Sequence, residues 1–279
     1  MMGITGLLRL GSPDLSAIIM TNVKLGVKKI MLVFVVPLKS QEKSTSWENV
    51  CQLFERTARS ICNQTCSDFQ VIVVCNQRPQ INFSHSHIHY LEVDFPYPSN
   101  QPTYVTRADT DKGRKILYGL MAAKEFSPSH IMTVDADDCV SKNLAQFVQK
   151  KLSANGWYIN QGYKYLNNDS VIYLKPWNFY RSSGSCNLLR YDLIDLPENP
   201  EYNRGYGYYK FYIDHQKVKD VMAQRKHPIK PLPFPGAVYI IGTNENISQN
   251  EQKLQFNILT RRKLTPEICE EFGLARLEN

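Results

Sequence analysis

Asp135-Ala136-Asp137-Asp138 places three carboxylates in one short stretch. Like charges this close repel, and burying them together is unfavourable unless a cation neutralises them. A hard divalent ion such as Mn²⁺ or Mg²⁺ takes oxygen ligands, commonly one or two carboxylates together with substrate phosphates. In a turn, Asp135 and Asp137 can face one ligand while Asp138 caps or hydrogen-bonds the loop. The same residues also suit a plain surface turn ahead of a helix, because Asp favours such positions. Context favours the metal reading: the cluster follows the apolar run His130-Ile-Met-Thr-Val134, and open α/β sheets bind ligands at the carboxyl ends of such strands. Other chemistries are missing their signatures. Seven cysteines are dispersed without a C-x-x-C pair, which argues against a zinc ribbon or a redox motif. No G-x-G-x-x-G follows a strand-like run, which disfavours a dinucleotide-dependent dehydrogenase.

The elements that must position the cluster show as alternating patterns. Ile30 to Val36 is a continuous apolar, β-branched run, which predicts a strand buried on both faces. After the polar loop Lys39 to Ser46, Trp47, Val50, Leu53, Phe54, Ala58 and Ile61 recur at helical spacing. Phe69 to Cys75 and Ile88 to Val93 predict two more strands. Gly113 to Phe126 predicts an amphipathic helix whose apolar face is Ile116, Leu117, Leu120, Met121 and Ala123. His130 to Val134 is the fourth strand, and Ser141 is expected to cap a helix running through Leu152. Strands alternating with helices imply βαβ units and a largely parallel sheet with right-handed crossovers. The pattern changes after residue 155. Tyr158, Tyr163, Tyr165, Tyr173, Trp177, Phe179 and Tyr180 crowd a stretch that reads as strands and loops, and Pro228 to Pro235 form an extended connector before a late strand, Ala237 to Ile241.

The 279 residues carry 33 Lys and Arg against 26 Asp and Glu, a net charge of +7 that is compatible with a phosphate-bearing ligand. The basic pairs (Lys28-Lys29, Lys150-Lys151, Arg261-Arg262-Lys263) are scattered, which disfavours nucleic acid as a partner. Hydrophobic residues at 43% and charged residues at 21% exclude collagen, an extended coiled coil and wholesale disorder. Residues 1–26 mix apolar residues with Arg9, Asp14 and Lys24, and no apolar run approaches the ~20 residues of a bilayer span. They read as an N-terminal extension rather than a signal peptide. The dispersed thiols suggest a reducing, cytoplasmic setting.

Taken in order, these features resemble the family 2 glycosyltransferases with a GT-A fold. The strand ending Val36-Pro37 is followed by a helix ending Arg59-Ser60-Ile61-Cys62-Asn63-Gln64-Thr65, very similar to that family's S-I-x-N-Q-T segment; then come the strand Phe69 to Val74, the helix from Gly113, and Asp135-Ala136-Asp137-Asp138 as the D-x-D. The resemblance implies an α/β fold of GT-A type: a Rossmann-like, mostly parallel sheet flanked by helices, with a smaller mixed region on the acceptor side. Residues 27–152 would be the nucleotide-sugar-binding half and 153–279 the acceptor-binding half of one domain.

The resemblance also assigns roles. Asp137 would be the direct ligand of Mn²⁺ or Mg²⁺ on the donor's diphosphate, with Asp135 beside the ribose or a metal-bound water, and Ala136 between them. Pro37 would border the nucleoside. Members often carry an acidic residue after the second strand, where this chain has Cys75-Asn76, so Asn76 is the remaining candidate for a base contact. Lys112 and Arg114 fall where basic residues approach the nucleotide. The general base that inversion requires would be Asp214, in Phe211-Tyr-Ile-Asp214-His215, with His215 orienting it or serving in its place. Gly184-Ser185-Cys186 resembles a small-residue turn lining the acceptor pocket, and Thr243 to Ser248 resembles a late loop where many members carry a His that is missing here. The partners implied are a nucleotide-diphosphate sugar and a hydroxyl of a glycan, polysaccharide or lipid-linked acceptor, the last placing the protein at the inner membrane face. The alternative from another class is a non-catalytic relative that binds nucleotide sugar or glycan. A nucleotidyltransferase is disfavoured, because the loop Lys39 to Ser46 contains no Gly.

Overall fold

The computed structural model describes residues 31–151, 153–245 and 259–274. The expected N-terminal extension, Ile30, Leu152 and Asn246 to Ser248 of the late loop lie outside them. The chain begins with β1 (Leu32–Pro37), α1 (Trp47–Cys62), β2 (Phe69–Cys75), β3 (Ile88–Glu92), α2 (Tyr104–Ala122) and β4 (His130–Thr133). β1 is buried along its whole length because it lies mid-sheet, paired in parallel with β2 on one side and β4 on the other. That accounts for its unbroken apolar sequence: both faces are covered by helices.

The second half supplies β5 (Cys139–Val140), α3 (Leu144–Gln149), β6 (Gly156–Tyr158), β7 (Gly162–Leu166), β8 (Val171–Lys175), β9 (Asn187–Arg190), α4 (Tyr206–Ile213), α5 (Val218–Gln224), β10 (Lys230–Pro231), β11 (Ala237–Ile241), β12 (Arg261–Lys263) and α6 (Pro266–Phe272). Two sheets result. The larger runs β10-β6-β9-β4-β1-β2-β3, with β9 the antiparallel member. The smaller runs β12-β8-β7-β11-β5 and is mixed. The fold is therefore α/β, with a Rossmann-like, mostly parallel sheet flanked by helices and a smaller mixed region. After residue 155, β6, β9 and β10 complete the first sheet, while β7, β8, β11 and β12 build the second with β5, and no further βαβ unit follows.

Two helices differ from expectation. α2 starts nine residues before Gly113, with Thr103 capping it by accepting from the Thr106 amide at 3.2 Å, and Ala123–Phe126 continues it as a 3₁₀ turn. Its first half is polar because it faces a cavity rather than the core, so hydrophobic periodicity was silent there. Ser141 does not cap the helix that follows it. Its hydroxyl donates to Glu271 Oε1 at 2.5 Å, and α3 is a short helix begun by Asn143 without a side-chain cap.

α2 lies on β1 through Gly119. A Cβ there would come within 2.5 Å of Val35 Cγ1, so the close approach requires glycine. Gly119→Ala is expected to destabilise the fold by about 1–3 kcal/mol through overpacking. Urea unfolding measures this, and a midpoint equal to the parent's would refute the tight contact.

Candidate functional site

The acidic loop leaves the carboxyl end of β4, which lies next to the end of β1; the Val134 amide still donates to Val35 O at 2.9 Å, and the Asp138 amide turns back onto Asp135 O at 3.1 Å. The three carboxylates then take three separate roles. Asp138 is completely buried. Its Oδ2 accepts from the hydroxyls of Ser183 and Ser185, each at 2.7 Å, and its Oδ1 accepts from the Ile240 amide of β11 at 3.1 Å. Burial and its two acidic neighbours push its pKa well above the ordinary range, while the serine hydroxyls pull it back in part. Ser185 completes the tie by accepting from the Asp135 amide at 2.9 Å. Asp138 therefore joins the acidic loop, the 183–185 turn and β11.

Asp135 points the other way, its Oδ1 lying 2.5 Å from Lys112 Nζ. Burial alone would lower the Lys112 pKa, but Asp135, Asp109 and Asp137 around it outweigh that and raise it, so the ammonium is retained. Gly184 packs over this pair: a Cβ there would meet Asp135 Oδ2 at 2.7 Å and Lys112 Nζ at 3.1 Å. Asp137, between the other two, is pushed up to about 6 by burial and by Asp135, against the pull of Lys112 and Arg56.

Across the cavity, Asp214 follows the last turn of α4, its amide donating to Lys210 O at 2.8 Å, three residues before Lys217 begins α5. It closes one helix rather than opening the next. Its carboxylate has no ion-pair partner among the described residues. His215 Nδ1 lies 2.7 Å from Tyr180 O. A carbonyl can only accept, so Nδ1 carries the proton and Nε2 is left with its lone pair. Burial and Lys112 lower the His215 pKa, which keeps the ring neutral. The Tyr206 phenol is raised by burial and by both Asp109 and Asp214, so these groups share one electrostatic environment.

All of this surrounds a cavity of about 580 Å³. Pro37, Lys112, Asp135, Ala136, Asp137, Asp214 and His215 line it together. Asn76 and Arg114 do not. The Asn76 amide donates to Val93 O and Phe95 O at 3.2 and 3.3 Å, and Arg114 Nη1 donates to Pro96 O at 2.6 Å. Both hold down the 93–96 segment. Arg114 lies two residues beyond Lys112, which puts it on the opposite side of the helix. The nucleotide contacts expected of these two residues are replaced by structural ones.

Asp109, Lys115, Glu245 and Tyr206 are among the lining residues that escaped the sequence reading. Asp109 reaches the cavity one turn before Lys112. Lys115 bridges Leu38 O at 2.7 Å and Asp111 Oδ2 at 2.8 Å. Glu245, from the late loop, accepts from Lys39 Nζ at 2.7 Å and from the Thr45 and Ser46 amides at 3.2 and 2.7 Å, tying that loop to the one after β1. Tyr206 opens α4. For Asp109 and Lys115 the signal was present: extending the helix back to Thr103 puts Asp109, Lys112 and Lys115 at three-residue spacing on one side. For Glu245, which meets Lys39 from 206 residues away, no local pattern existed.

Asp135 and Asp137 offer hard oxygen donors facing the cavity, and their repulsion is what a divalent cation relieves. Among the described residues no group of three His, Cys, Asp or Glu side chains is arranged to hold a metal.

No family model matches the chain. No curated protein matches it in sequence. Among solved structures, it is similar to Staphylococcus aureus TarS 1-349, at 10% identity and a TM-score of 0.39 over 76% of this chain and 60% of that one. A second TarS structure, in complex with UDP-GlcNAc, gives 9% identity and a TM-score of 0.36 over 76% of this chain and 58% of that one. The chain thus spans less than two thirds of the TarS structures. The 4-diphosphocytidyl-2C-methyl-D-erythritol synthase of Anaerococcus prevotii gives 10% identity and a TM-score of 0.37, over 82% of this chain and 94% of that one.

The raised pKa of Asp137 has a testable sign. Its favourable contribution to stability is complete below the ordinary value of 3.8 and is lost as pH rises through about 6. Asp137→Asn, which cannot ionise, should raise Tm at pH 7.5. Because the carboxyl faces a cavity, we expect about 1 kcal/mol, or about 2–4 °C. The gain should shrink at pH 4.5; an equal effect at both pH values would remove the electrostatic cause.

Proposed function

We propose that the protein is an inverting glycosyltransferase that moves a sugar from a nucleotide-diphosphate donor to an acceptor hydroxyl. The observation that carries this reading is one cavity at the carboxyl ends of β1 and β4, with Asp135, Asp137 and Lys112 on one side and a free carboxylate, Asp214, on the other. The first group suits a diphosphate and the second an attacking hydroxyl. The nucleoside would lie towards Pro37, Leu38, Val50, Leu53 and Tyr97, a largely apolar wall suited to a base and ribose. Asp137 would hold Mn²⁺ or Mg²⁺ directly, and Asp135 would face the ribose or a metal-bound water. When bound, that ion would offset charge developing on the leaving diphosphate. Lys112 contributes a second positive charge, fixed in place by its carboxylate neighbours.

Asp214 would take the proton of the acceptor hydroxyl. The oxygen attacks the anomeric carbon from the face opposite the diphosphate, the bond from that carbon to the phosphate oxygen breaks, and the electron pair leaves with the nucleoside diphosphate. His215, neutral with Nε2 as acceptor, would orient the incoming hydroxyl beside Asp214. The Gly184 turn keeps side chains off the Asp135–Lys112 pair, leaving room for the donor. Among the described residues no helix is long and apolar enough to cross a membrane. A cytoplasmic enzyme, peripheral to the inner face where the acceptor is lipid-linked, belongs to the same proposal.

A thermal-shift panel of UDP, GDP, ADP, CDP and dTDP, with and without Mn²⁺, tests the donor site, since a ligand that binds only the folded state raises Tm. One nucleotide should give a Mn²⁺-dependent rise that Asp137→Ala abolishes. A flat panel would overturn the transferase reading. Asp214→Asn should keep that rise while losing about 10²-fold or more in turnover, the scale of general-base catalysis. Full activity in Asp214→Asn, together with its loss in His215→Asn, would move the base to His215.

A further inference from the structure

Asp214 borders a second cavity. At the α4–α5 corner a groove of about 630 Å³ opens, and it shares Asp214 and Lys217 with the first cavity. Its charged lining is lopsided. Lys210, Lys217 and Arg225 have no carboxylate within ion-pair distance among the described residues, whereas Asp220 is already paired with Lys219 at 2.8 Å. Arg225 is held in place by stacking over the Phe211 ring, 4.6 Å from its centroid. Phe211, Val218 and Val221 make an apolar floor. Two uncompensated cations, with Lys217 at the shared mouth, thus lead to the one carboxylate that also faces the donor cavity.

We propose that this groove seats the acceptor, and that the acceptor is anionic: a hydroxyl-bearing chain whose units carry phosphate. This deepens the transferase reading and rests on it. A neutral glycan would gain nothing from Lys210 and Arg225, whose charges would go unanswered. A phosphate-bearing chain pairs with them while its hydroxyl reaches Asp214, and the apolar floor accepts its carbon skeleton. Lys217, at the junction, offsets the repulsion between a phosphate there and the Asp214 carboxylate. The net charge of +7 draws such a chain towards the protein from a distance.

The test uses the full chain and two fluorescein-labelled probes of matched length, a glycerol-phosphate hexamer and neutral maltohexaose, with fluorescence anisotropy as the readout. The hexamer should bind at least about tenfold more tightly than maltohexaose and weaken steeply between 50 and 200 mM salt, as screening of fixed charges requires. Lys210→Gln with Arg225→Gln should cost about tenfold or more in hexamer affinity, the scale of two charge-assisted contacts, and Lys210→Arg should retain it. Both positions are exposed, so an unchanged Tm confirms that the variants fold. The nucleoside-diphosphate thermal shift should be the same in the double variant as in the parent. Equal affinity for the two probes, or an unaffected double variant, overturns the proposal. Binding to phosphatidylglycerol vesicles but not to the hexamer also overturns it, in favour of a membrane surface. A flat nucleotide panel with normal hexamer binding would instead remove the donor reading, so the two failures are distinguishable.

Discussion

Three carboxylates at the end of one strand can coexist only if each is stabilised differently, and the site is built around that constraint. Asp138 receives neutral hydrogen-bond donors, Asp135 receives an ammonium, and Asp137 faces the cavity with its proton affinity raised. The partners come from distant parts of the chain: Ser183 and Ser185 from the turn before β9, Ile240 from β11, and Lys112 from α2. Solving the repulsion therefore also assembles the domain. The same bonds that hold Asp138 join the large sheet to the small one.

The architecture follows from this. β1 and β4 end side by side, so the loop after each faces the same cavity. α2 crosses behind β1 and brings its polar first half to the rim, while Gly119 lets its second half sit close against Val35. α4 packs on α2 through Gly113, where a Cβ would come within 2.5 Å of Tyr209 Cβ. That contact sets where α4 ends, and so where Asp214 and His215 stand relative to the acidic loop. Two glycines and a buried aspartate thus fix the distance between the acidic loop and the Asp214–His215 corner. Asp214 stands where the two cavities meet.

Local pattern was enough for the elements buried on regular faces. β2 and β11 run over the residues their apolar sequences indicated, and α1 differs by a residue, because burial on both faces or along one stripe leaves a periodic trace. The acidic loop was legible for another reason: it follows an apolar strand, and ligand cavities in open α/β sheets lie at the carboxyl ends of such strands. The start of α2 was not legible, since a helix facing a polar cavity alternates in charge rather than in hydropathy. The short α3 was obscured because the Ser141 hydroxyl accepts from the Asn143 amide at 3.1 Å in the turn ahead of the helix, which begins at Leu144 with no side-chain cap.

The sequence by itself determined the order of strands and helices, the mostly parallel α/β arrangement and the position of the carboxylates at a strand's end. These follow from short-range periodicity and from charge repulsion between near neighbours. Only the tertiary structure decided the division of labour within the site. It turned Arg114 and Asn76 to the 93–96 segment, brought Glu245 to the cavity, gave Asp138 a structural role, and set Asp214 between two cavities. The reason is physical: which atom faces a cavity depends on contacts between residues far apart in the chain, and these leave no mark in neighbouring residues.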